Sequence, residues 1–270
     1  MTGTRATQLA RAGHPGPSAA VTVVTAGLAV TAGHSLSSGA LVVAAVLAGQ
    51  LSIGWSNDLI DADRDRSVGR VDKPAATGAV TTATLRTATG VALVACIVLS
   101  LLCGLSSAVV HLLLGVWAGW AYNLGLKRTP LSPLPYAVAF GALPSVVTLA
   151  LATPRWAPLW MTATGALLGL AAHLLNVLPD LADDARTGIR GLPHRLGERA
   201  TRVSGLLLLT AGTLVAVLGP GRPPGWAVAG LVACVLGAAI GSLARGRWPF
   251  VVGAGIAVVD VVMLVVRGAG

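Results

Sequence analysis

Hydrophobic residues fall along this chain in long runs separated by short polar stretches. An α-helix needs roughly 20 predominantly apolar residues to cross the hydrocarbon core of a bilayer. Nine runs of about that size are present, near residues 18–36, 38–60, 80–103, 106–125, 134–152, 157–179, 203–219, 226–243 and 249–266. The pattern predicts an all-α, polytopic membrane protein: nine transmembrane helices forming one domain over 1–270. Several runs are rich in Gly and Ala, which lets helix backbones approach closely in lipid. Pro144, inside the fifth run, predicts a kink.

Composition agrees. Hydrophobic residues make up 54% of the chain and charged residues 11%, against about 25% charged in soluble domains; mean hydropathy is +0.78. The formal charge of +9 first suggests nucleic acid. Its distribution excludes that partner, because the basic residues sit between the apolar runs, where they orient a membrane protein. With the N-terminus inside, sixteen Lys and Arg face the cytoplasm and three, Arg155, Arg222 and Arg267, face out. That asymmetry predicts a cytoplasmic N-terminal segment over 1–17 in a bacterial-type cell membrane. Trp156, Trp160 and Trp226 fall at expected outer ends, as interfacial anchors do. Cys96, Cys103 and Cys234 lie inside apolar runs and read as small core hydrophobes. No short apolar core with a cleavage site marks a signal peptide.

The acidic residues change the picture most. Nine of the ten lie in or just after two short segments, and Asp260 alone stands apart. At the end of the second run, Asn57, Asp61 and Asp65 are spaced four apart, as are Asn176, Asp180 and Asp184 at the end of the sixth. On a helix that spacing puts oxygen-bearing side chains on one face, where like charges repel. Hard divalent cations favour such clusters, and Mg²⁺ in particular combines one or two carboxylates with waters and phosphate oxygens. A solvated helix end accounts for one such segment but not for a matched pair at two cytoplasmic exits. Two acidic ends facing each other would clamp a diphosphate through Mg²⁺, with Arg64, Arg70, Lys73, Lys127, Arg128, Arg186 and Arg190 as candidate neutralising cations. A diphosphate at the mouth of an apolar bundle implies an apolar tail within it. Ionisation of an allylic diphosphate there yields a cation sheltered from water, open to attack by an electron-rich carbon.

The segment Asn57-Asp58-x-x-Asp61-x-x-x-Asp65 with Lys73-Pro74-x-x-x-Gly78 resembles the first signature of the UbiA superfamily of intramembrane prenyltransferases. Asp180-Leu181-x-x-Asp183-Asp184, followed by Gly188-Ile189-x-x-Leu192-Pro193-x-x-Leu196-Gly197, is similar to the second, and Tyr122-Asn123 with Lys127-Arg128 to the segment after the fourth helix. The resemblance runs through all nine runs. It implies a helical bundle around a central cavity opening to lipid, and Mg²⁺-dependent prenyl transfer to a lipophilic, expectedly aromatic, acceptor. By match, Asn57, Asp61, Asp65, Asp180 and Asp184 fall on Mg²⁺–diphosphate positions, Asn176 is a further candidate, and Lys127 and Arg70 fall near the diphosphate. Gly191 stands where many members have Thr, and His194 where an aliphatic or aromatic residue is common. A membrane terpene cyclase of the same fold, using the same donor without an acceptor, is the alternative enzyme. A cation transporter would place its acids near mid-membrane, not at the exits. No obligate protein partner is evident.

Lesser candidates remain. His173 lies seven residues before Asp180, so it either contacts an acceptor or is held by a neighbouring helix. Gln50, seven before Asn57, reads the same way. Tyr122 is either an interfacial anchor or a site hydroxyl. His111 reads as structural. Asp260, mid-run, is either functional or paired with another helix.

Overall fold

A computed structural model describes residues 4–71, 73–181, 184, 188–244 and 248–268. These residues are helical with short connections, and no strand occurs among them. A short helix α1 (Arg5–Ala12) precedes α2 (Pro15–Thr31), α3 (Leu36–Ser67) and α4 (Thr82–Leu102). Then come α5 (Leu105–Leu124), α6 (Leu134–Leu149), α7 (Leu159–Val177), the short α8 (Leu192–Leu196), α9 (Glu198–Leu218), α10 (Gly225–Leu243) and α11 (Trp248–Arg267). Seven helices are long and apolar enough to cross a membrane. The first and fifth expected spans are the shorter apolar helices α2 and α6, of 17 and 16 residues.

Consecutive helices pack on one another: α3 on α2 and α4, α6 on α7, α7 on α9, and α9 on α10 and α11. The last helix, α11, packs back on α2, so the bundle closes into a ring. One apolar cluster joins α2, α3 and α6 through Leu28, Val42, Val46 and Val147; a second joins α7, α9, α10 and α11 through Leu175, Leu206, Leu209, Cys234 and Ile256. Pro144 lies inside α6.

The α6–α7 pair shows why the glycines matter. A Cβ at Gly165 would lie 2.4 Å from the Phe140 carbonyl oxygen, and one at Gly169 would lie 2.3 Å from that of Tyr136. Glycine at both positions lets the α7 backbone rest on α6, the close approach expected of small residues in membrane bundles.

Elsewhere, His111 opens a π-turn within α5 and bonds Ser100 across 2.8 Å, a structural role. Asp260 is fully buried and lies 2.5 Å from the Thr213 hydroxyl of α9, so the lone mid-run acid pairs with another helix. The cysteines are free and packed in the bundle.

Candidate active site

The first acidic segment is wholly helical. No Gly or Pro interrupts α3 after Gly54, and the helix runs seven residues past the expected end of the apolar run, to Ser67. It stops at Gly69, whose φ of 71° suits glycine in the left-handed region; the next N–H, of Arg70, returns to the Asp65 carbonyl at 3.0 Å. Asn57, Asp61 and Asp65 therefore share one stripe, as their spacing predicts. Asp61 and Asp65 are each only 3% exposed. A helix C-terminus carries partial negative charge, so buried carboxylates there need cations. Two answer. Lys127 Nζ lies 2.7 and 2.5 Å from the two Asp61 oxygens. Arg64 reaches Asp61 and Asp65, each at 3.0 Å.

Lys127 sits on the turn Leu126–Arg128 after α5 and is itself buried. That burial pulls its ammonium below the ordinary lysine range; Asp61 opposes the shift, Arg64 and Arg128 add to it, and the lowering prevails. The lysine is held by charge, in a place where a negative ligand would be welcomed.

Asn57 is oriented by a relay. Asn123 donates from Nδ2 to the Ile53 carbonyl and the Ser56 hydroxyl, both at 2.9 Å, which turns its own Oδ1 toward Asn57. Asn57 Nδ2 donates to that oxygen at 3.1 Å. The atom Asn57 has left to offer is its carbonyl oxygen, a hard donor of the kind Mg²⁺ takes.

The second segment departs from the first. Its α-helix ends at Val177, and Pro179 lies in a 3₁₀ turn, Leu178–Asp180. Identical spacing thus does not give an identical helical face. Asn176 is exposed at the end of α7. The Asp180 side chain, Asp183 and Arg186 lie outside the described residues. Asp184 is half-buried, with His194 Nε2 at 4.0 Å.

Three contacts bring the segments together. Tyr122, at the end of α5, is close enough to Asp61, Arg64 and Asp184 to feel the charge of each. A Cβ at Gly191 would stand 2.8 Å from the Lys127 carbonyl and 2.7 Å from Ser132 Oγ, so the loop after the second segment rests on the lysine's own backbone. Ser132 Oγ accepts the Leu192 N–H at 3.1 Å and lies 3.0 Å from His173 Nε2. Gly191, where a Thr is common in the family it resembles, has no room for a side chain here. His173 is 1% exposed and packs behind the Tyr122 and Tyr136 rings, held by a neighbouring segment.

Lys73 is bound to Asp58 at 2.7 Å, with His14 3.2 Å away. His14 closes that group from the junction of α1 and α2, 3.1 Å from Asp58, at the one positive φ of a non-Gly residue among those described. Arg70 is half-buried just past α3, and Arg190 is exposed beside Gly191. Sequence reasoning quoted Asn123 as part of a motif without giving it a role, and passed over Ser132 and Tyr136. Asn123, adjoining Tyr122, was within reach of it; Ser132 carried no signal.

The fold is thus a closed bundle of apolar helices with acidic segments and cations gathered where α3, α5 and α7 end. The chain belongs to the UbiA prenyltransferase family, whose model matches residues 19–259. Among solved structures it resembles an apo UbiA homologue from Aeropyrum pernix K1, with TM-score 0.72 and 19% identity over 91% of this chain and 97% of that one. A UbiA homologue from Archaeoglobus fulgidus bound to GPP and Mg²⁺ aligns with TM-score 0.70 and 13% identity, covering 97% and 98%. A structure of digeranylgeranylglyceryl phosphate synthase gives 0.72 and 12%, covering 99% of both chains. No curated protein matches by sequence.

Proposed function

We propose that this protein transfers a prenyl group from a prenyl diphosphate to a lipophilic, aromatic acceptor within the membrane, with Mg²⁺ as cofactor. The observation that carries this reading is that Asp61 and Asp184 both act on Tyr122, while the loop after the second segment rests on the Lys127 backbone. The A. fulgidus homologue, bound to GPP and Mg²⁺, supplies the ligand class. The donor set fits the metal: Asn57 would offer a carbonyl oxygen and Asp61, Asp65 and Asp184 carboxylates, with Asp180 proposed from its place in the second segment. When bound, Mg²⁺ supplies charge that steadies a departing diphosphate.

The chain's own residues do the rest. Lys127 and Arg64, now on Asp61 and Asp65, are placed to turn toward phosphate oxygens. The C1–O bond of the donor breaks and its electron pair leaves with the diphosphate. The allylic cation then bonds to an electron-rich ring carbon, and the ring proton passes to the freed diphosphate. The surrounding apolar helices keep water from the cation. The distribution of Lys and Arg supports nine spans with this mouth cytoplasmic.

Membranes containing the protein, incubated with labelled prenyl diphosphates of several lengths, test this. Aromatic acids and quinone precursors are added or withheld, with and without EDTA. Prenylated acceptor formed only with Mg²⁺ is the expected result. A cyclised hydrocarbon from donor alone assigns the cyclase activity instead, and full activity in EDTA overturns the metal assignment.

A further inference from the structure

A groove of about 530 Å³ lies where α7, α8 and α9 meet, a volume in the range of ligand sites. Its wall is leucine: Leu170 and Leu174 of α7, Leu192 and Leu196 of α8, Leu207 and Leu208 of α9. Ser204 is the one polar side chain among the lining residues. A helix turns about 100° per residue, so Leu174 points nearly opposite to Asn176, two residues on. On α8, His194 likewise points away from Leu192 and Leu196, with Asp184 on its side. Leu196 and Leu207 are exposed. The groove thus opens on the outer face of the bundle and is separated from the acidic site by α8.

The short helix α8 roofs this groove and is held from both sides. The Leu192 N–H donates to Ser132 Oγ at 3.1 Å, and the Thr201 hydroxyl donates to the Pro193 carbonyl at 3.0 Å. Along α9 the lining runs from Ser204 to Ala211, about 11 Å at the helical rise. One leaflet offers about 15 Å of hydrocarbon, half the bilayer core, so the groove fits within it. Charge gathers at the roofed end. Arg195 sits between the two α8 leucines and Arg199 lies in the first turn of α9; both are exposed. Neither has a carboxylate partner among the described residues, and Glu198, the acid beside them, lies 3.7 Å from Arg202. Around the first acidic segment, by contrast, Arg64, Arg66 and Lys73 each have an aspartate within 3.0 Å.

We propose that this groove binds an anionic phospholipid of the cytoplasmic leaflet, with one acyl chain on the leucines and the phosphate at Arg195 and Arg199. A free anion would leave the apolar wall bare, and a zwitterionic headgroup would bring a cation to two arginines. Basic pockets between membrane helices on the cytoplasmic side hold anionic headgroups by this combination. The leaflet follows from the orientation proposed above; the binding itself depends neither on that orientation nor on the transferase reading. A lipid that seats on the folded roof and not on the unfolded chain stabilises the fold by mass action.

The test uses full-length protein in detergent, stripped of lipid and titrated with phosphatidylglycerol or with phosphatidylcholine carrying the same chains. Native mass spectrometry counts the retained lipid, and the thermal midpoint is followed alongside. Phosphatidylglycerol should be preferred by about 30-fold at low salt, the worth of two arginines at a membrane surface, and should raise the midpoint. Arg195→Gln combined with Arg199→Gln changes exposed side chains only, so it should fold as wild type does and lose most of that preference. Ser204→Phe lays a ring in the groove and should weaken both lipids, whereas Ser204→Ala should not. Inorganic phosphate should leave the midpoint where it is. Equal retention of the two lipids overturns the proposal, as does a preference that survives the double arginine variant. A preference untouched by a folded Ser204→Phe protein places the lipid elsewhere and overturns it too. A phosphate effect as large as the lipid's removes the need for the chain and does the same.

Discussion

Gly191→Ala is the most informative small change, because the structure sets its size. The added methyl would lie 2.7 Å from Ser132 Oγ, 2.8 Å from the Lys127 carbonyl and 3.1 Å from Ser132 Cβ. Two of these three atoms belong to one side chain and the third is backbone, so the cheapest relief is for the two loops to part. Overpacking of this kind costs roughly 1–3 kcal/mol. Parting the loops moves Lys127 relative to Asp184, and a misplacement of about 1 Å alone can cost 10²-fold in rate. If the strain falls fully on the reacting arrangement, it corresponds to a loss of about 5- to 150-fold. The assay is steady-state prenyl transfer in membranes at matched expression, with thermal midpoints in detergent alongside. Ser132→Gly removes two of the three contacts and should restore part of the loss in the double variant, leaving the Lys127 carbonyl as the residue of it. Gly191→Ala with wild-type turnover and wild-type midpoint would show that the loops do not touch, and would refute the argument.

Lys127→Met leaves Asp61 with Arg64 alone; loss of one partner from a buried pair costs about 3–5 kcal/mol, and turnover should fall by roughly 10²-fold or more. Lys127→Arg, which keeps the charge, should recover part of it, and equal loss in both variants would argue against an electrostatic role. Lys73→Met should lower the thermal midpoint while sparing kcat, because Lys73 serves Asp58 and not the diphosphate in this arrangement; a selective fall in kcat at unchanged midpoint would return Lys73 to the site. Cytoplasmic reporters fused near Arg70, Lys127 and Arg190 should be active and those near Arg155 and Arg222 silent; an outside signal at Arg190 would separate the two acidic segments.

The first acidic segment was readable because its side chains lie on an uninterrupted helix, where spacing alone determines which residues share a face. The second has the same spacing, but Pro179 removes a backbone donor and the α-helix gives way to a 3₁₀ turn. Repeated spacing therefore predicted the gathering of two acidic ends better than it predicted their shape. The pairing of Lys73 with Asp58 was not legible because it depends on chain order: α1 folds back on α3, Trp55 bonds the Leu9 carbonyl at 2.9 Å, and His14 arrives beside Asp58. Nothing local announces that fold-back. The Asp61–Lys127 pair spans 66 residues, and the basic turn after the fourth run was legible, though not its carboxylate. Helix length was legible only to the edge of the apolar run, since α3 continues on the strength of polar residues that pair with one another.

The central claim is that two acidic segments clamp one leaving group, and it is tested most directly by turnover of Asp65→Asn, Asp184→Asn and the double variant at matched expression. Groups that act as a unit are not additive. Each single substitution should remove nearly all activity, and the double should be little worse than either. Losses that simply multiply, or one variant that keeps wild-type turnover, would contradict the shared clamp and return Asp184 to the role of a structural cap.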